Sequence, residues 1–347
     1  MIRFESDYQE GCHENILNRL RETNLEQTSG YGADVYCESA KSLIKKSLGL
    51  EQAEIYFLVG GTQTNTTVIK SLLSPCEGVV CVASGHINVH ESGAIESTGH
   101  KVLAISSNHD GLLYPSELES YLENFYADST HEHMVQPGMV YLSFPSENGT
   151  LYSKNNLEQI KKICEKYKIY LFIDGARLGY GLMSEQADLN LKEFASLCDI
   201  FYIGGTKCGA LFGEAVVIPD INKLKIKNFK TLIKQQGGLL AKGRLLGLQF
   251  EELFKDNLYF DLARHADNQA MRIKSAFEAQ GVKLFYDSFT NQQFPVLNKS
   301  QFEILNKDFK FELWQVIDEN SSAYRFCTSW ATKSEAVDAL IDAIKKF

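Results

Sequence analysis

The chain has 347 residues, 35 of them basic and 44 acidic, and carries a formal net charge of −9 at pH 7. Hydrophobic residues make up 44% and charged residues 23%, the balance of a globular protein able to bury a large core. The acidic charge argues against a nucleic-acid surface or a polybasic membrane patch, and no run of about 18 apolar residues offers a membrane span.

Eight cysteines are scattered without a C-x-x-C pair, mostly in apolar surroundings as in "KKICEKY", and the acidic N-terminus "MIRFESDYQEG" lacks an apolar signal core. Together these point to reduced thiols in the cytoplasm, where the sequons at Asn65, Asn148, Asn298 and Asn320 carry no meaning.

In chain order, "IYFLV" (55–59) reads as a strand and "GGTQTNTTVIKSLL" as a loop entering a helix. Strands follow at 78–83 and 100–105, then a helix from about Pro115 to Phe125, then a strand at 138–144. "KNNLEQIKKICEKYK" spaces Leu157, Ile160, Cys164 and Tyr167 three or four apart, which makes one apolar helix face. Strands "IYLFID" (169–174), "DIFYIGG" (199–205) and "EAVVIP" (214–219) complete the series. Continuous apolar strands separated by helices predict an α/β fold with a mostly parallel sheet covered on both faces. From about 224 the character changes to charged helix, a strand at 323–330 and a last helix "KSEAVDALIDAIKK". The expected division is a large domain over 1–223 and a small α+β domain over 224–347.

Three groups stand where open α/β sheets bind ligands, at the C-terminal ends of strands. "VGGTQTN" (59–65) sets two glycines ahead of a helix, so backbone N–H groups and the helix dipole can face an anion, although such a pair is also an ordinary turn. "FIDGARLGYG" (172–181) ends an apolar strand on Asp174, a desolvated carboxylate in need of donors. Arg177 either supplies that partner or is left to fork onto a ligand carboxylate. "YIGGTKCGA" (202–210) places Lys207 among Gly205, Thr206 and Gly209, where it is either a solvated loop lysine or a desolvated nucleophile. An anion cradle, a strand-end aspartate and a lysine 33 residues later are, as a set, what pyridoxal phosphate requires. His86, just after strand 78–83, fits a ring that stacks on such a cofactor.

These stretches resemble the low-specificity threonine aldolases, within the fold-type-I pyridoxal-phosphate enzymes of the aldolase and β-eliminating lyase group. The likeness runs through Ser6-Asp7, "YGADVY" (31–36), "VGGTQTN", "GHINVHESGA", "FIDGARLGYG", "GGTKCGALFGEAVV" and "RFCTSW" (325–330). It implies that Lys207 carries the cofactor and Asp174 pairs with its ring nitrogen. It also implies that His86 stacks on the ring and that Gly61, Thr62 and Gln63 hold the phosphate, with Thr206 and Arg177 also near the cofactor. Ser6, Arg177 and Arg325 would grip the substrate carboxylate, and Tyr31 and Tyr36 would either act at the site, reaching a neighbouring subunit, or serve as packing residues. The implied activity is retro-aldol cleavage of a β-hydroxy-α-amino acid to glycine and an aldehyde, by a homodimer or homotetramer. His86 or an ordered water would serve as base, with His90 the lesser candidate.

Two departures from the family pattern stand out. "SENGTLYS" (146–153) lacks the histidine that the family places near the substrate hydroxyl; Glu147 is the residue available there, and a bulkier β-substituent, as in phenylserine, fits as well as threonine. "KQQGGLLAKGR" (234–244) replaces the usual arginine-bearing segment, leaving Lys242 or Arg244 for phosphate contacts from a neighbouring subunit. No metal site is expected, because the histidines of "THEH" lack further ligands. The cofactor residues do not choose the bond to be broken, so another lyase or aminotransferase reaction, or a non-catalytic binding module, stands as the alternative.

Overall fold

The computed structural model describes residues 1–106, 108–224, 226 and 228–347. Among them, seven strands form the central sheet: β1 (Glu54–Leu58), β2 (Glu77–Val82), β3 (Val102–Ile105), β4 (Gln136–Ser143), β5 (Tyr170–Asp174), β6 (Ile200–Gly204) and β7 (Glu214–Ile218). Their order across the sheet is β1-β7-β6-β5-β4-β2-β3. Pairing is parallel from β3 through β6, and β7 runs antiparallel to both β6 and β1. The strands lie where the apolar runs predict them. The reversed direction of β7 is not visible in a run of apolar residues, since its short link from β6 is what dictates it.

Alternation along each strand separates two cores. Val140, Leu142, Leu171 and Ile173 face one layer, which also holds helices Val35–Leu48, Lys154–Tyr167 and Arg244–Phe254. Met139, Tyr141, Phe172 and Tyr202 face the other, covered by helices Gly61–Leu72 and Phe229–Gln235. Caps set the helix boundaries: Asp34 accepts from the Cys37 amide at 2.9 Å and Ser153 from that of Asn156 at 3.1 Å. Covering both faces leaves the strand ends as the open part of the sheet, and the C-terminal ends of β1, β2, β4, β5 and β6 share one edge.

A smaller antiparallel sheet follows, with β10 (Ser321–Cys327) between β8 (Val296–Asn298) and β9 (Glu312–Val316). Its core gathers Leu297, Phe309, Phe326 and Leu340 with Phe4 from the N-terminal segment. Ile2 pairs with Phe309, and the Cys327 amide donates to the Phe4 carbonyl at 2.8 Å, so the segment that carries Ser6 and Asp7 enters along this sheet. No helix among the described residues is long and apolar enough to cross a membrane.

Candidate active site

A cavity of about 310 Å³ opens at the C-terminal edge of the central sheet. Gly61, Thr62, His86, Glu147, Asp174, Arg177, Thr206 and Lys207 all line it, although they come from five different strand ends. Distant stretches of sequence meet there because each follows a strand of the same sheet.

The anion cradle is the start of helix Gly61–Leu72. Its first intrahelical bond runs from the Thr64 amide to the Gly60 carbonyl at 3.0 Å, so the amides of Gly61, Thr62 and Gln63 precede the ladder and have no acceptor within it. Gln63 contributes through its backbone only. Its side chain is turned away, accepting from the Val59 amide at 3.0 Å and donating to the Gln236 carbonyl at 3.1 Å.

Asp174 ends β5 and is 4% exposed. One oxygen accepts from Tyr202 Oη at 2.5 Å and from the Ala176 amide at 3.0 Å; the other accepts from Tyr141 Oη at 2.6 Å and Asn65 Nδ2 at 3.1 Å. Burial first, and the facing Asp174 second, hold both phenols protonated, well above their ordinary range, so they remain donors. Arg177 does not pair with Asp174. It turns instead to the buried Asp7, through Nε at 2.7 Å and Nη2 at 3.1 Å. Burial alone would raise the Asp7 carboxyl, but the charges of Arg177 and Lys207 and the bonds from Arg177 and Asn291 pull it down to about 2.

His86 Nδ1 lies 2.7 Å from Glu91 Oε1, which also accepts from Asn65 Nδ2 at 2.7 Å. Asn65 therefore links the His86 partner to Asp174. Burial works against charge on the His86 ring, but the Glu91 bond and the nearby Glu147 and Asp174 outweigh it and raise its pKa. The bond also fixes the ring plane and leaves Nε2 for the cavity.

Lys207 is half-buried on the loop between β6 and β7, and its amine has no hydrogen bond or ion pair among the described residues. Burial and the Arg177 charge depress its pKa, against the partial opposition of Asp7, Glu147 and Asp174. The loop is pinned beneath it: Tyr180 Oη donates to the Lys207 carbonyl, and the Gly205 and Thr206 amides donate to the Gly213 carbonyl at 3.0 and 3.2 Å. Two glycines make this geometry possible. Gly213 has φ +113, and a Cβ on Gly175 would lie 1.9 Å from the Tyr202 carbonyl oxygen where β5 ends against β6.

Four of the residues expected at the site lie outside the lining. Ser6 sits beside Asp7 on the entering segment. Arg325, on β10, donates to the Glu5 carbonyl at 3.0 Å, to Gln292 Oε1 at 3.3 Å and to Glu312, and stands 5.4 Å from the Trp314 ring, so its largely buried guanidinium is committed away from the cavity. Tyr31 is 47% exposed, with φ +58 and Lys234 Nζ 4.8 Å from its ring. Gln63 is the fourth, for the reason given above. Arg244 is also engaged elsewhere, donating to the carbonyls of Glu26 and Thr23, both at 2.9 Å.

Sequence reasoning passed over Tyr141, Tyr202 and Glu214 as functional residues. The two tyrosines carry a signal, a phenol inside an otherwise apolar strand that must find a partner. Glu214 carries another, a carboxylate opening a strand that is otherwise fully apolar.

The donor set fits pyridoxal phosphate: free amides at a helix start, a buried carboxylate ringed by donors, an imidazole braced on its far side and an amine without a partner, all in one cavity. The orphaned Asn65 Oδ1 and Glu91 Oε2 mark further buried polar atoms in this network.

Comparison with known proteins agrees. The beta-eliminating lyase family model matches residues 4–298. The low specificity L-threonine aldolase of Pseudomonas sp. (strain NCIMB 10558) is 27% identical over 350 residues, covering 99% of this chain and 97% of that protein. The solved threonine aldolase of Leishmania major is 42% identical, covers 100% of this chain and 99% of that one, and superposes with a TM-score of 0.95. The histidinol-phosphate aminotransferase of Clostridium acetobutylicum, at 14% identity and a TM-score of 0.74, shares the fold. The chain belongs to the beta-eliminating lyase family of pyridoxal-phosphate enzymes.

Proposed function

We propose that the protein cleaves the Cα–Cβ bond of a β-hydroxy-α-amino acid, releasing glycine and an aldehyde, with pyridoxal phosphate as cofactor. The observation that carries this reading is the meeting of the Lys207 amine, the Asp174 carboxylate, His86 and the start of helix Gly61–Leu72 in one cavity. Its support from relatives is a threonine aldolase of matching length at 42% identity.

Bound cofactor supplies an electron sink for the carbanion left by bond cleavage. Asp174 would hold the proton on the ring nitrogen, and its four donors keep the carboxylate in place for that task. The amides of Gly61 and Thr62, with the Thr62 hydroxyl, would bind the phosphate side, whereas the Thr206 hydroxyl gives its proton to Glu214 Oε1. Lys207, with its depressed pKa, would hold the cofactor through its aldehyde. Asp7 uses only Nε and Nη2 of Arg177, so Nη1 stays available to orient a substrate carboxylate. Ser6 and Arg325 would complete that grip once Arg325 exchanges Glu312 for substrate.

The β-hydroxyl proton would leave to His86 Nε2 or to a water it holds. Glu147 lines the cavity where the family's histidine is missing and accepts from Ser143 Oγ at 2.8 Å, which makes it the substrate-side carboxylate in this chain. The reading includes a cytoplasmic setting, consistent with eight free cysteines of which only Cys76 is exposed. It also includes a homodimer or homotetramer, consistent with the exposure of Leu25, Tyr31 and Val35.

Threonine, allo-threonine and phenylserine assayed side by side test the activity. Glycine and the matching aldehyde are the expected products. Release of ammonia or of a keto acid without aldehyde would replace this reading with elimination or transamination.

A further inference from the structure

Glu214 opens β7, and because β7 runs against its neighbours, its first residue lies at the sheet edge that carries the site. The side chain is 4% exposed and lines the cavity. Both of its oxygens address the two residues immediately ahead of Lys207: the Gly205 amide donates to Oε2 at 3.2 Å and Thr206 Oγ1 donates to Oε1 at 2.9 Å. Thr206 Oγ1 in turn accepts from the Gly213 amide at 3.0 Å, which closes a clamp around the base of the lysine loop.

Two hydrogen bonds of this kind could be accepted by a neutral side chain at no desolvation cost to a charge. A buried carboxyl is an expensive choice for fastening a loop, and it stands in the cavity that holds the reacting lysine. We propose that Glu214 is a positioning residue for Lys207, fastening the lysine loop and carrying a proton whose loss changes the charge felt at the lysine nitrogen. The inference rests on the cofactor reading given above.

The surroundings support it. Burial pushes the Glu214 carboxyl up to about 8, opposed by the Thr206 bond, the Lys207 charge and the Gly205 amide, and reinforced by Asp174. On the adjoining elements, the phenols of Tyr202 on β6 and of Tyr259 also feel this carboxyl, while Leu58 of β1 faces it with an apolar side chain. In neutral solution the clamp therefore holds an acid. At higher pH the proton passes to cavity solvent, and the carboxylate left behind favours positive charge on the nitrogen of Lys207.

The test is a pH titration of the absorbance of the cofactor-loaded enzyme, comparing wild type with Glu214→Gln and Thr206→Val. Wild type should show a spectral step in the mildly alkaline range, and Glu214→Gln, which keeps the shape but not the proton, should lack it. Thr206→Val keeps the proton and removes a donor that favours the charged form, so its step should move to higher pH by roughly half a unit or more. A step that persists in Glu214→Gln overturns the proposal. An unmoved step in Thr206→Val does so as well, and it decides the matter if Glu214→Gln fails to fold. Wild-type enzyme with cofactor absorbance but no alkaline step also overturns it and leaves the proposed function standing. Wild-type enzyme that binds no cofactor defeats both.

Discussion

Asp7 and Glu214 are both buried carboxyls close to Lys207, and their pKa values move in opposite directions. Asp7 has the forked Arg177 guanidinium against it and is pulled down to about 2, while Glu214 has neutral donors and is pushed up to about 8. Burial acts on both in the same direction, so the sign is set by a bonded cation at one and its absence at the other. Asp174 extends the series as a buried carboxylate held by four neutral donors, two of them phenols whose own pKa values are driven far up. Asp174 and Glu214 line the cavity, while Asp7 reaches it through Arg177, so three buried carboxyls have three different partner sets and the chemistry proposed for each follows from those partners.

The largest test of this contrast is Asp7→Ala. Removing the carboxylate strands Arg177 as a buried unpaired cation, and the expected loss is about 3–5 kcal/mol of unfolding free energy in a denaturant titration. A loss below about 1 kcal/mol would show that the pair is not desolvated as described. Asp174→Ala should retain cofactor weakly and lose roughly 10²–10³-fold in kcat, read by aldehyde release. Turnover near the wild-type rate would contradict its assigned role.

Acid titration follows the sign at Asp7. Its carboxyl lies lower in the folded than in the unfolded chain, so its contribution to stability is present above about pH 4 and disappears as pH falls toward 2. The expected loss across that window is about 2 kcal/mol, measured by thermal melts as a function of pH. In Asp7→Asn this component should vanish. The smallest effect belongs to the half-exposed partner of Arg325. Glu312→Gln keeps an acceptor for the guanidinium, so it should cost less stability than Asp7→Ala in the same titration, and should lower KM modestly by freeing Arg325 for substrate.

Much of the scaffold could be read from the sequence because buried strands announce themselves as apolar runs, and seven such runs account for the central sheet. The residues gathered at the cavity were legible by their place near strand ends: Asp174 closes β5, and Gly61, His86 and Lys207 stand within a few residues of the ends of β1, β2 and β6. What escaped depends on contacts between distant segments. That Arg177 bonds Asp7 and not Asp174 is decided by how residues 2–4 pair with Phe309–Lys310 and Cys327, which no local pattern reveals. The resemblance puts Gln63 in the phosphate loop; its backbone amide does stand at the helix start, but no local pattern reveals that its side chain holds Val59 and Gln236. Glu214 escaped because only the reversed direction of β7 brings it to the site edge.

Every role proposed at this cavity depends on the amine of Lys207 being the group that meets the cofactor. Borohydride reduction of the loaded enzyme, followed by digestion and peptide mass analysis, tests it directly. The reduced cofactor's mass is expected on the peptide containing Lys207, and on no peptide of Lys207→Ala. The same mass on a different lysine of the wild-type chain would contradict it.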